Sequence, residues 1–298
     1  MSVRPAGPEH TSAAHVGQLV KLGGRVNLAA NRNYARALGL GFGGALLFAL
    51  PLLMTMEMWR LGFAMEQGRL LGLVLASLPM LLGLSYFAGF EPTFRLKDEI
   101  LDMLAALGIG LLLSAVVLSL FGALRLEHAP LETTGKIALC AIPGAMGALL
   151  AGKQFGDSDL ARTRTKARTA YGGELFTVAV GALFLAFNIA PTEEVSQIAR
   201  QMGPIRCLLL LMVSLLLSHV MVYELGFPGQ DVRRGSGGFA GTFVFFTAPA
   251  YAISFAISAY TLWSFGRLDG LAVTEINATV LVLAFPAAIG AATARLVI

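Results

Sequence analysis

Charge is what this sequence has least of. Only 13 % of its 298 residues are charged, against about 25 % in a soluble domain. That excludes an ordinary water-soluble globule, and it equally excludes a disordered chain, which stays unfolded because it is polar. Cysteine is nearly absent too. Cys140 and Cys207 both fall in apolar runs, so neither a disulfide framework nor a two-cysteine metal site is expected. There is no glycine loop with its phosphate-binding lysine, no metalloprotease helix and no nucleophile elbow. No enzyme chemistry, metal or cofactor is expected on these grounds. The first 34 residues lack the apolar run and flanks of a signal peptide. They read as a flexible or surface-lying cytoplasmic tail.

What is present is apolar sequence, 56 % of the chain, with 34 glycines and 11 methionines. Runs of about 20 apolar residues recur, each long enough to cross a ~30 Å hydrocarbon core as a helix. Eight such helices are expected. They cover Leu38–Trp59, Leu70–Phe90, Ile100–Leu124, Lys136–Gly152, Tyr171–Ile189, Ile205–Phe227, Phe239–Phe265 and Glu275–Arg295. Thr192-Glu193-Glu194, after Pro191, is placed to start a short surface helix. The fold class is therefore an all-α polytopic membrane protein. Pro51, Pro143, Pro249 and Pro286 lie inside helices and are kink candidates, because each removes a backbone donor.

The +4 net charge is distributed by side rather than clustered. The N-terminal tail, the loops after helices 2, 4 and 6 and the C-terminus carry 15 of the 22 Lys and Arg. The positive-inside rule predicts that both termini are cytoplasmic. Basicity here speaks for topology, and nucleic acid is not an expected partner. Membrane lipid is the expected partner, with a homo-oligomer and small cations or protons as further expectations.

Four short matches link the halves: FGGALLF (42–48) with YGGELFT (171–177), SYFAGFEP (85–92) with VYELGFP (222–228), LSLFGAL (118–124) with LWSFGRL (262–268), and AIPGAMGA (141–148) with AFPAAIGA (284–291). The separations are 129, 137, 144 and 143 residues. They imply a parallel four-plus-four repeat. Residues 1–36 form the tail, 37–152 the first repeat, 153–170 a basic connector and 171–298 the second repeat.

Ionisable groups inside membrane helices are costly and usually face a bundle interior or a cavity. Four are candidates for an ion path or gate. Glu57 lies near Trp59, as an interface acid or a pore-mouth carboxylate. Glu174 sits in the first turn of helix 5, where unsatisfied N–H groups favour a carboxylate; the FGG/YGG match sets it against Ala45. His219 is the deepest ionisable group, either a pH gate or a partner for a neighbouring helix. Glu224 follows Tyr223, five residues on. That spacing turns it away from His219's face, so the pair does not form a metal site.

The segments FGGALLFALPLLMTMEMW, YFAGFEPTFRLKDEILDML and ARTAYGGELFTVAVGALFLAFNIAPTEE resemble a family of uncharacterised bacterial integral membrane proteins, over residues 30–298. A fainter similarity is to endolysosomal and bacterial potassium channels with an Arg…Phe-Ser-Asp signature. Arg36 and Phe42-Gly43-Gly44 fall where that signature would, without the Ser-Asp pair. The leading expectation is an ion channel or transporter for cations or protons. The alternative is a non-transporting sensor or scaffold that binds anionic lipid or a partner protein. A membrane enzyme acting on lipid ranks third.

Overall fold

The computed structural model describes residues 28–88, 96–124, 129–155, 171–225 and 238–297. The basic connector from 156 to 170 and the loop of Arg233 and Arg234 lie outside them. So does most of the N-terminal tail. The elements are α1 (Leu28–Leu53), α2 (Met56–Ala64), α3 (Gln67–Ala88), α4 (Leu96–Leu120), α5 (Pro130–Phe155), α6 (Tyr171–Ile189), α7 (Glu194–Arg200), α8 (Pro204–Leu225), α9 (Gly238–Thr242), a π-helical turn (Phe243–Thr247), α10 (Ala248–Ser264) and α11 (Val273–Val297). Seven helices are long and apolar enough to cross a membrane, or eight if a bent pair counts as one span. The protein is thus an all-α polytopic membrane protein.

The bent pair corrects the first expected helix. The sequence predicts one helix over Leu38–Trp59, with a kink candidate at Pro51. Instead α1 stops at Leu53, and α2 leaves at 82°. The break has a local cause. Thr55 turns its hydroxyl back onto the Leu52 carbonyl at 2.9 Å, and its own N–H bonds the same carbonyl at 3.2 Å. The same device ends α6. Thr192 Oγ1 donates to the Ile189 carbonyl at 2.9 Å, and its N–H does so at 3.0 Å. The short helix α7 follows, as α2 follows α1.

This equivalence fixes the register between halves. Thr55 corresponds to Thr192, Gln67–Ala88 to Pro204–Leu225, and the separation is 137 residues throughout. The separation of 129 for the first helices is therefore corrected. Packing gives the physical reason. A Cβ on Gly43 or Gly172 would meet nothing within 4 Å, so the first glycines of the FGG and YGG match mark no constraint. The constrained glycines are Gly44 and Gly181. A Cβ on Gly44 would lie 2.4 Å from the Gly147 carbonyl oxygen, and one on Gly181 would lie 2.3 Å from that of Gly290. Backbone meets backbone at both crossings, as small residues allow in membrane helices. Ala45 then corresponds to Ala182, and both are fully buried.

A second shared device closes α4 and α10. Gly122 (φ 71°) and Gly266 (φ 69°) occupy the left-handed region that a side chain disfavours. Ala123 N–H reaches the Leu118 carbonyl and Gly122 N–H that of Ser119, at 2.9 and 3.1 Å. Arg267 and Gly266 repeat this with Leu262 and Trp263, at 2.9 and 3.0 Å. These are paired Schellman caps.

Each half is built round one helix. α5 has 83 % of its span buried and α11 has 61 %, against 22–39 % for the other five spans. Pro143 and Pro286 sit inside these central helices, yet both helices run through them. Every residue from Leu139 to Ala151 is buried, so Pro143 faces packed side chains and does not line a cavity. Pro249 acts differently. It follows the π turn and cannot donate to the carbonyl of Phe245, which instead accepts from Tyr171 Oη at 2.8 Å. Ala37–Ile298 forms one compact unit. The outward faces are apolar; α8 exposes Ile205, Leu208, Leu209, Met212 and Leu216 to the lipid.

Candidate functional site

Alternating helices put the sequence-derived candidates at two ends of the bundle. Glu174 opens α6, and His219 and Glu224 lie in the last two turns of α8, all at the connector end. Glu57 lies on α2 at the opposite end. The four do not converge on one path. Glu224 is exposed, and Glu174 is half-buried and engaged in an interaction. Its place in the repeat is that of Ala37, so the contrast with Ala45 disappears.

His219 is 3 % exposed. Its Nδ1 pairs with Thr247 Oγ1 at 2.8 Å, at the end of the π turn. Phe239 and Phe243 present ring edges at 4.0 and 5.3 Å. This histidine ties α8 to α9 and the π turn inside an aromatic cage.

The residues that do converge lie at the end opposite the connector. A cavity of about 380 Å³ opens there, between elements of the two halves. The first half supplies Glu57, Arg60 and Glu66 from α2 and its following turn, and Arg69 from α3. The second half supplies Glu193, before α7, and Ser264 to Asp269, around the Gly266 cap. The lining is nearly balanced in charge, with four acids and three arginines.

Arg69 clamps one wall. Its Nη1 donates to Asp269 Oδ2 at 2.8 Å and to the Trp263 carbonyl at 3.0 Å. Its Nε lies 3.4 Å from Glu66 Oε2, and its guanidinium stacks 5.2 Å from the Trp263 ring. Arg267 clamps the other wall, donating from Nη2 to the Pro191 carbonyl. Two buried polar atoms on this wall have no hydrogen-bond partner: Arg267 Nε and Ser264 Oγ. Among the described residues, no ion pair or hydrogen bond engages the side chain of Glu57, Glu193 or Arg60.

Below this cavity side chains make contacts across the seam between halves, several of them from α3. Tyr260 Oη donates to the Gly72 carbonyl at 3.1 Å, one turn below Arg69. Towards the connector end, Phe87 stacks on Phe176 at 5.2 Å, and a Cβ on Gly83 would lie 2.6 Å from that same ring. Phe48 meets Phe184 at 4.5 Å.

Sequence reasoning found Glu57 but missed its neighbours. Arg60, Arg69 and Arg267 were counted only as topology charges. The available signal was the mixing of signs. GRLDG (266–270) and the stretch from Glu57 to Arg69 alternate acids with arginines on the side that should be poor in both. A second buried polar place was also missed. Glu99 and Asp102, 4 and 6 % exposed, lie one turn apart on α4, and Ser85 Oγ donates to Glu99 Oε2 at 3.0 Å. No group of three or more His, Cys, Asp or Glu able to hold a metal ion occurs among the described residues.

No curated protein and no solved structure matches this chain. The similarity to potassium channels therefore finds no support. A family model does match, over residues 37–298. With the apolar spans and the two-part bundle in place, that match identifies the chain as a member of the DUF2391 family of integral membrane proteins.

Proposed function

We propose that this protein moves an ion or a small charged solute across the membrane, and that the charged cavity is its entrance. The carrying observation is the cavity's position. It opens at one end of the helix bundle, its walls come from both halves, and the ring pairs Phe48–Phe184 and Phe87–Phe176 meet across the seam below it. A continuous pore would need that seam open, so the geometry favours a transporter in a closed state over a conducting channel. On this reading residues 37–152 and 171–298 are parallel repeats that rock against each other, with the site at their interface. The connector and both termini lie in the cytoplasm of a bacterial cell by the charge rule, which puts the cavity on the outer face.

The packed seam is also what a non-transporting sensor or scaffold would have, and it favours that reading second. Purified protein in liposomes separates them. Uptake of protons, monovalent cations or amino-acid-sized solutes, reduced at least severalfold by E57Q/E193Q, supports transport. Liposomes as tight as protein-free controls towards the whole panel would leave the scaffold reading.

A further inference from the structure

The cavity is built for a ligand that carries both signs of charge. Ser264 is fully buried, yet its hydroxyl has no partner. Arg267 uses Nη2 on the Pro191 carbonyl and leaves its Nε–H unpaired at the same wall. Seven buried side-chain polar atoms among the described residues lack a partner, and these two are the ones on residues that line the cavity. Both belong to residues that line the cavity, and an oxyanion would satisfy both. The remaining acids tell the other half. Glu66 and Asp269 are taken up by Arg69, while Glu57 and Glu193 line the cavity unpaired among the described residues. Those two carboxylates suit an ammonium. A lone cation would leave the Ser264 and Arg267 donors unsatisfied, and a lone anion would meet the two free acids.

We propose that this cavity binds a small zwitterion. Its carboxylate or phosphate is held by Arg267 Nε–H and the Ser264 hydroxyl, and its ammonium by Glu57 and Glu193. The proposal rests on the cavity being the entrance argued above, and it names the substrate class. The volume of about 380 Å³ is at the small end of ligand pockets, which fits a solute of amino-acid size. The same chemistry occurs in a free amino acid and in an aminophospholipid headgroup, and the site lies at a membrane face where either could reach it.

The test is binding to the purified full chain in nanodiscs of phosphatidylglycerol alone, read as a thermal shift. The probes are glycine, 4-aminobutyrate and phosphoethanolamine, with acetate and ethylamine as single-charge controls. At least one zwitterion should stabilise the protein at concentrations where neither control does. S264A removes one hydrogen bond to a charged group and should weaken binding about tenfold or more. E57Q/E193Q should weaken it at least as much, and R267K should restore part of what R267A loses. Response to phosphoethanolamine alone, reproduced by adding phosphatidylethanolamine to the nanodiscs, assigns the site to a headgroup and supports the proposal. Response to an amino acid assigns it to a free solute. Acetate binding as tightly as any zwitterion, no binding by any probe, or unchanged affinity in S264A and E57Q/E193Q overturns it. Binding without uptake in liposomes removes the transport reading and keeps the site. Uptake of inorganic cations without zwitterion binding does the reverse.

Discussion

Replacing Gly290 with alanine tests the packing on which the whole bundle rests. A Cβ there would lie 2.3 Å from the Gly181 carbonyl oxygen and 3.0 Å from Leu185 Cγ. Close carbon–oxygen contacts settle at about 3.3 Å, so α6 and α11 must separate by roughly 1 Å at their crossing. Leu185 can rotate, but the Gly181 oxygen belongs to a helix backbone and cannot move alone. Overpacking of this kind costs about 1–3 kcal/mol. Because α11 is the central helix of its half, with 61 % of its span buried, G290A should fall near the upper end, about 3 kcal/mol. G181A should cost about the same, since its Cβ would meet the Gly290 oxygen at 2.3 Å. One separation relieves both clashes, so the double variant should lose less than the sum of the singles. Gly108 on α4 is the control, with nothing within 4 Å of its would-be Cβ. G108A should be neutral, or more stable by about 0.5–1 kcal/mol from helix propensity. The assay is reversible unfolding in mixed micelles, with monodispersity checked by size exclusion. G290A as stable as the parent, or G108A as damaging as G290A, would refute the close crossing.

Three further outcomes follow from single contacts. Lys136 is buried and paired with Glu132. K136A should cost about 3 kcal/mol by removing one partner of a buried ion pair, whereas K136M/E132Q should be close to the parent in the same unfolding assay. H219A loses the Thr247 hydrogen bond and the contact with Phe239; a loss of about 2–4 kcal/mol is expected, with faster amide exchange at the π turn. R69A should release the Gly266–Leu271 link, seen as faster exchange there with little change in the exchange of α5.

The membrane class and the number of long helices were legible in the sequence, because burial in lipid demands long apolar runs and local composition carries that signal. α6 came out with the expected bounds, Tyr171–Ile189. The break at Met54–Thr55 was not legible. Thr55 is an ordinary residue until its hydroxyl is seen on the Leu52 carbonyl, and Pro51, the obvious breaker, sits in a helix that runs on to Leu53. The repeat was recognised with its first pair out of register, since a double glycine is conspicuous whether or not a helix packs on it. Gly44 and Gly181 could be told from Gly43 and Gly172 only by what faces them. The site was the least legible part. Glu57 stood out as a charge near an apolar run. Arg69, Glu193, Ser264 and Arg267 became neighbours only in the folded chain, and separations of up to 198 residues between them carry no local pattern.

The central claim is that solute enters through the cavity. Ala64 lines it and is exposed, so A64C, made with Cys140 and Cys207 replaced by alanine, places a thiol at the entrance. Uptake by proteoliposomes of this variant should fall to near background after stoichiometric reaction with a bulky charged maleimide, while the cysteine-free parent is unaffected. Undiminished uptake by fully labelled A64C would contradict the account.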